Sequence, residues 1–222
     1  AGIFYSSGST GKPKGVPRDH ATILHRAWLD RIDLDIQPED RFLQLRQFSF
    51  SASLPDAMNA LLNGCSIHLH DLRRKGMEEL ADTLAARRIT VLRPPIELFR
   101  HFLASLPPGR TFPDIRCLVM TGDVFYRKDV EQARLHFPQD AVLIHHLSSS
   151  ETGVLCRNKL TLGSPINGEV IPVGLPVEGK QILLLDDRHR VVPPGQTGEI
   201  AVRTEFRFHE YWNQPDLTAQ KI

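Results

Sequence analysis

A run near the start of the chain, Tyr5-Ser6-Ser7-Gly8-Ser9-Thr10-Gly11-Lys12-Pro13-Lys14-Gly15-Val16, concentrates the groups that bind a polyphosphate. Glycines let successive backbone N–H groups converge on an anion, and the lysines add charge that amides cannot supply. Ser7, Ser9 and Thr10 offer hydroxyl donors for terminal phosphate oxygens, and Lys14 offers a point charge. The run is not a Walker A loop, because Ser6 stands where that pattern needs its first glycine and Pro13 where it needs Ser or Thr. A flexible linker is the plain alternative. Against it stand the shortness of the run, its apolar flanks and the Lys12-Pro13-Lys14-Gly15 tail.

Three further segments fall just after expected strands, where ligands of open α/β sheets sit. They are Phe48–Ser53, Met120-Thr121-Gly122-Asp123, and His145–Gly153, which contains Ser148, Ser149, Ser150 and Glu151. A carboxylate among small hydroxyl residues, facing a phosphate loop, suits Mg²⁺, which prefers one or two carboxylates plus phosphate oxygens. A helix-start acid or a solvated turn residue is the competing description of Glu151. Other pairs carry less. His68 and His70 share one face of a strand but have no third ligand at a useful spacing. His145 and His146 point to opposite faces, and no nucleophile elbow surrounds Ser148. Asp186-Asp187 suits a turn.

The elements that must position these residues alternate along the chain. A strand ending at Ile3–Tyr5 delivers the loop, and a helix over Asp19–Leu34, with Asp19 as N-cap, follows it, so the expected order is strand, loop, helix. Strands are expected at Arg41–Gln47, Cys65–His70, Ile89–Leu92, Arg116–Met120 and Ala141–His145. Helices are expected at Leu54–Leu62, Met77–Arg87, Glu97–Leu106 and Lys128–His136. This repetition predicts an α/β fold with a mostly parallel sheet flanked by helices. Beyond Leu155 turns and short strands take over, as at Gln181–Leu185 and Gly198–Arg203. The expected division is an α/β lobe over 1–165 and the start of a β-rich, distorted-barrel lobe over 166–222.

Composition bounds the function class. A formal net charge of +1, from 27 basic and 26 acidic side chains, gives no electrostatic case for nucleic acid or an anionic membrane. No stretch is long and apolar enough for a membrane span, and no leader opens the chain, so the cytoplasm is the expected compartment. Cys65, Cys117 and Cys156 are odd in number and lie in apolar contexts, as free core thiols do. The chain opens on Ala1-Gly2-Ile3-Phe4 without Met and is expected to be an excerpt of something longer.

Taken in order, the phosphate run, the Phe-x-x-Ser segment, Gly122-Asp123, Ser149-Ser150-Glu151-Thr152, Gly174-Leu175-Pro176, Gly198-Glu199-Ile200 and Tyr211-Trp212-Asn213-Gln214-Pro215 resemble the adenylate-forming superfamily over essentially the whole chain. That superfamily comprises acyl-CoA synthetases, luciferases and nonribosomal peptide synthetase adenylation domains, and the last branch is the most similar. The resemblance implies that ATP and Mg²⁺ are used to turn a carboxylic acid into an acyl-adenylate with release of pyrophosphate. It implies that Ser6, Ser7, Gly8, Ser9, Thr10, Gly11, Lys12 and Lys14 hold the phosphates. Gly122, Asp123, Leu147, Ser148, Ser149 and Ser150 would surround the nucleotide, with Ser150 at the α-phosphate and Glu151 on Mg²⁺. Lys14, Ser150 and Glu151 are thereby the catalytic set. The acyl pocket maps to Ser51, Ala52, Pro55, Val119, Thr121, His146, Val154 and Leu155, a mostly apolar group.

Two departures qualify the likeness. Amino-acid-activating members carry Asp where Ser51 stands, as counter-ion of the substrate ammonium, so the expected substrate lacks an α-amino group. Leu147 replaces the usual aromatic at the adenine. The acyl acceptor implied is a phosphopantetheine carrier domain or, alternatively, coenzyme A; a catalytically silent nucleotide-binding or scaffold homologue is the rival from another class. The family's ribose-holding Thr-Gly-Asp and its C-terminal lid domain would follow Ile222, so the 222 residues alone are expected to form little adenylate.

Overall fold

The computed structural model describes residues 2–7, 13–48 and 50–221. Its centre is a seven-stranded sheet made of β3 (Arg41–Gln44), β4 (Ser66–Leu69), β5 (Val91–Leu92), β6 (Cys117–Met120), β7 (Val142–Ser149), β8 (Gly153–Thr161) and β9 (Leu175–Pro176). The order across the sheet is β4-β3-β5-β6-β7-β8-β9. Neighbours from β4 through β7 run parallel; β8 and β9 are antiparallel additions. A mostly parallel sheet therefore stands as the sequence periodicity implies.

Alternation along the strands explains why helices cover both faces. Leu43, Leu92, Leu118, Met120 and Leu143 face one core, with Leu80 and Leu84 of α3 (Leu72–Ala86), Phe99 and Phe102 of α4 (Ile96–Ser105), and Val130 of α5 (Arg127–Ala133). Their neighbours Phe42, Val91, Cys117, Val119 and Ile144 face the other core, closed by Leu34 beside α1 (His20–Asp33) and Ala60 of α2 (Leu54–Leu62). Each one-residue step along a strand changes the core that a side chain enters. Gly76, with φ of 70°, kinks α3, so a short helical piece over 72–75 precedes the part that starts at Met77, where the apolar periodicity expects the helix. Asp19 caps α1 as expected, its Oδ1 accepting from the Thr22 N–H at 2.7 Å.

One expectation is corrected. The phosphate run does not pass from a strand into a helix; β1 (Gly2–Ser7) returns through β2 (Pro13–Arg18) as an antiparallel hairpin, with Ser6 opposite Lys14, and α1 starts only after that. Lys14-Gly15-Val16 pair with Phe4–Ser6, so the tail of the run gains ladder hydrogen bonds that helix-start signals alone do not reveal. Gly8, Ser9, Thr10, Gly11, Lys12 and Ser49 lie outside the described residues.

The β7 strand also runs further than expected, through Ser149, and a turn at 150–152 joins it to β8. The register of this pair shifts between Leu147 and Ser148. A separate hairpin, β10 (Gln181–Leu185) with β11 (Glu199–Arg203), follows, and α6 (Pro215–Lys221) ends the described chain. Cys117 and Cys156 are buried, Cys65 is half-buried, and all three are free. No helix of the described residues is long and apolar enough to cross a membrane.

Candidate active site

The β1/β2 hairpin and the β7–β8 turn meet. The Lys14 ammonium donates to Glu151 Oε1 at 2.5 Å and to the Tyr211 hydroxyl at 3.3 Å, and the Tyr211 hydroxyl donates to the same Glu151 oxygen at 2.9 Å. Burial opposes ionisation of Glu151, but these hydrogen bonds outweigh it and hold its carboxyl below the usual range. Burial likewise opposes the Lys14 charge, and the Glu151 and Tyr211 bonds carry its pKa upward instead. Both partners are therefore charged near neutral pH. Trp212 N–H donates to the Gly15 carbonyl at 2.9 Å, and a Cβ on Gly15 would sit 3.0 Å from the Trp212 Cβ. That close approach fixes the C-terminal Tyr211-Trp212 segment against β2, a role its sequence alone does not disclose.

Ser150 and Thr152, on either side of Glu151, line a cavity of about 210 Å³. Of the residues expected around an acyl group, Ala52, Pro55, Val119, Thr121, His146 and Val154 line it; Leu155 is buried elsewhere, and the Ser51 side chain lies outside what the structure describes. Ser148 and Ser149 line it with Ser150, and Ser148 Oγ lies 3.4 Å from Thr121 Oγ1. Leu147, half-buried, does not. Gly122 and Asp123 also lie off the cavity wall. Gly122 takes φ of 99°, and Asp123 is tied to Arg100 at 2.8 Å, which lowers its pKa. Ser6 is part of β1, with its hydroxyl buried and lacking a hydrogen-bond partner among the described residues.

The cavity wall is less apolar than the mapped residues suggest. Arg18, Arg26, Arg46, Arg93 and Lys180 all line it, and none of the described lining residues is Asp or Glu. Behind the wall, Asp30 of α1 is fully buried and accepts from Arg26 Nε and Arg93 Nη1, each at 2.8 Å, from Asn59 at 2.6 Å and from Arg157. Desolvation would raise its pKa, yet the three guanidinium groups drive it well below the ordinary value. Asp56 lies 2.7 Å from Arg93 Nε and 3.8 Å from Arg46, but burial dominates and its pKa is raised. His146 sits among these arginines; burial, then their charge, keeps its imidazole neutral.

Three of the cations not foreseen carry a usable sequence signal. Arg46 and Arg93 follow β3 and β5 closely, at the sheet edge where ligands of open α/β sheets sit, and Arg26 is one helical turn from both Thr22 and Leu29. Lys180 had none. The other histidines singled out from the sequence are held locally: His68 bonds Ser66 at 3.2 Å, His70 bonds Thr83 at 3.1 Å, and His145 bonds the Ile171 carbonyl at 3.0 Å. Among the described residues no group of three or more His, Cys, Asp or Glu could hold a metal ion without further ligands. Asp186 accepts from the Arg188 and Arg190 N–H groups in the turn after β10.

The family profile described as AMP-binding enzyme matches residues 1–212. Bacitracin synthase 3 of Bacillus licheniformis is 30% identical over 99% of this chain, which spans 3% of that protein. The L-proline--[L-prolyl-carrier protein] ligase of Streptomyces coelicolor is 29% identical over 97% of the chain, which spans 41% of it. Among solved structures, the Klebsiella oxytoca NpsA N-terminal subdomain in complex with 3-hydroxybenzoyl-AMSN superposes with a TM-score of 0.79 at 25% identity, covering 98% of this chain and 53% of the other. The AMPPNP-bound form of the nonribosomal peptide synthetase FmoA3 gives a TM-score of 0.88 over 99% of this chain and 24% of its own; at 23% identity it speaks for the fold.

Proposed function

Because this chain belongs to the AMP-binding enzyme family, whose members here are adenylate-forming ligases, we propose that it activates a carboxylic acid lacking an α-amino group as an acyl-adenylate. The reaction is attack of the acid's carboxylate on the α-phosphorus of ATP, with pyrophosphate leaving. No enzyme nucleophile takes part, so the protein's work is to orient two anions and neutralise the charge that accumulates between them.

The observation that carries this reading is the Lys14–Glu151–Tyr211 cluster beside a cavity whose wall includes Ser148, Ser149 and Ser150. Lys14 stands in β2 opposite Ser6, and in this reading its ammonium also serves phosphate oxygens. Ser150, on the cavity wall, supplies a hydroxyl for the α-phosphate. Both side-chain hydrogen bonds to Glu151 fall on Oε1, and Oε2 takes neither of them. A single ionised carboxylate next to a phosphate site fits Mg²⁺, which takes its other ligands from phosphate and water. When bound, the ion would neutralise phosphate charge. The acyl group occupies the cavity lined by Ala52, Pro55, Val119, Thr121, His146 and Val154.

The exclusion of α-amino acids rests on two features. Ser51 replaces the expected counter-ion, and the cavity wall is cationic, so a substrate ammonium meets repulsion rather than a partner. The thiol of a carrier-bound phosphopantetheine is the acyl acceptor in this reading, as the name of the prolyl-carrier ligase suggests, with coenzyme A the alternative. ATP–pyrophosphate exchange with the full polypeptide that carries these residues tests it: exchange dependent on a carboxylic acid supports the proposal, and none with any acid across a broad panel refutes it.

A further inference from the structure

Resting on the reading that the cavity receives an acyl group, we infer that the activated acid carries a second anionic group, a carboxylate in the simplest case, held by Arg18 and Lys180. The argument is one of unbalanced charge. Arg26 and Arg93 share the buried Asp30, and Arg46 and Arg93 face Asp56, so those guanidinium groups already have acidic partners behind the wall. Arg18 and Lys180 have no ion pair among the described residues. Their nearest acceptors are backbone carbonyls, Ser149 O at 3.5 Å from Arg18 and Thr152 O beside Lys180.

The two are close neighbours: a Cβ built on Gly153 would lie 3.6 Å from Arg18 Nη1 and 3.8 Å from Lys180 Nζ. Burial, and then repulsion from Arg18 and Arg26, pulls the Lys180 pKa down to about 8. Glu151 and Asp19 act on Arg18 only through space. Like charges held together away from water and without a carboxylate create a positive potential that an anionic ligand group relieves. Nothing else on the described wall does so, because it contains no Asp or Glu. Guanidinium and ammonium donors together suit a carboxylate, the first through paired N–H groups and the second through a point charge. A substrate with one carboxylate spends that group at the α-phosphorus and leaves the cluster unmatched; a dicarboxylate serves both ends.

The test uses the full polypeptide with unbranched dicarboxylates of four to eight carbons, their monomethyl esters, and monocarboxylates of equal length. Pyrophosphate exchange is measured for the wild type and for Arg18→Met and Lys180→Met. The inference predicts that a dicarboxylate has a kcat/KM at least tenfold above its monoester, and that each variant raises the KM for the diacid about tenfold or more. The KM for ATP should change less than twofold. Equal use of diacid and monoester overturns the inference while leaving acid activation intact. A rise in KM for ATP, or an equal rise for mono- and dicarboxylates, also overturns it, because the cluster then serves nucleotide phosphate or the reacting carboxylate. If no acid supports exchange, the proposed function fails, and calorimetric titration of the same diacids and monoesters still decides the matter. Diacid-selective binding that is lost in Arg18→Met and Lys180→Met sustains the anion site, and its absence refutes it.

Discussion

Lys14 and Glu151 lie 137 residues apart in sequence and 2.5 Å apart in space, joining the stem of the β1/β2 hairpin to the turn between β7 and β8. Tyr211 closes the contact from a third segment. Three distant stretches thus depend on one ion pair of partly exposed groups, and its consequences are measurable.

Replacing Glu151 with Gln should reduce kcat/KM by roughly 10² to 10³, the scale seen when one preorganised electrostatic contact to a developing charge is lost. Lys14→Met should fall in the same range. The double variant should lose less than the product of the two, since each side chain positions the other. Steady-state kinetics in all three would expose strict multiplicativity, which would mean that the pair does not act as a unit.

The same pair sets an acid-side stability profile. The folded Glu151 pKa lies below its unfolded value, so its contribution is complete above the ordinary glutamate pKa and disappears as pH falls through the folded one. The melting temperature of the wild type should exceed that of Glu151→Gln near pH 7, with the gap closing below about pH 4. A gap that stays constant into acid would show that Glu151 stabilises the fold by packing rather than by charge.

Asp30 is the anchor behind the cavity wall, fully buried and bonded to three arginines. Asp30→Asn removes the charge that the three guanidinium groups share, leaves Arg26 without an ion pair among the described residues, and should cost about 3–5 kcal/mol in chemical denaturation. A loss below about 1 kcal/mol would indicate that water, not Asp30, balances the arginines.

Gly174 takes φ of 80°, and a Cβ there would lie 1.9 Å from the Arg157 carbonyl oxygen. Because the obstruction is backbone, Gly174→Ala should destabilise by well over about 1 kcal/mol, shown by a lowered denaturation midpoint with unchanged slope. An unchanged midpoint would mean that β8 and the strand after Gly174 do not pack as described.

Much of this was legible in the sequence because local signals and global packing agree. The helix over Leu54–Leu62 ends at Asn63-Gly64, where Gly64 takes φ of 72°, and Asp19 caps α1 with the hydrogen bond its type favours. The hairpin at Pro13–Arg18 escaped because Lys-Pro-Lys-Gly carries little strand propensity; it is a strand by virtue of pairing with Gly2–Ser7, a tertiary effect. Most apolar members of the mapped acyl pocket do line the cavity, yet Arg26, Arg46 and Arg93 resembled ordinary surface charges. Only the burial of Asp30 and Asp56 behind them turns them into a wall.

The central claim is that this site activates a carboxylic acid without an α-amino group, and pyrophosphate exchange with matched substrate pairs tests it most directly. Each pair would present a carboxylic acid and its α-amino counterpart of the same skeleton to the full polypeptide with ATP and Mg²⁺. The account predicts that the acid lacking the amino group has the higher kcat/KM, since Ser51 and the cationic wall offer an ammonium no partner. A proteinogenic α-amino acid giving the highest kcat/KM of the panel would contradict it.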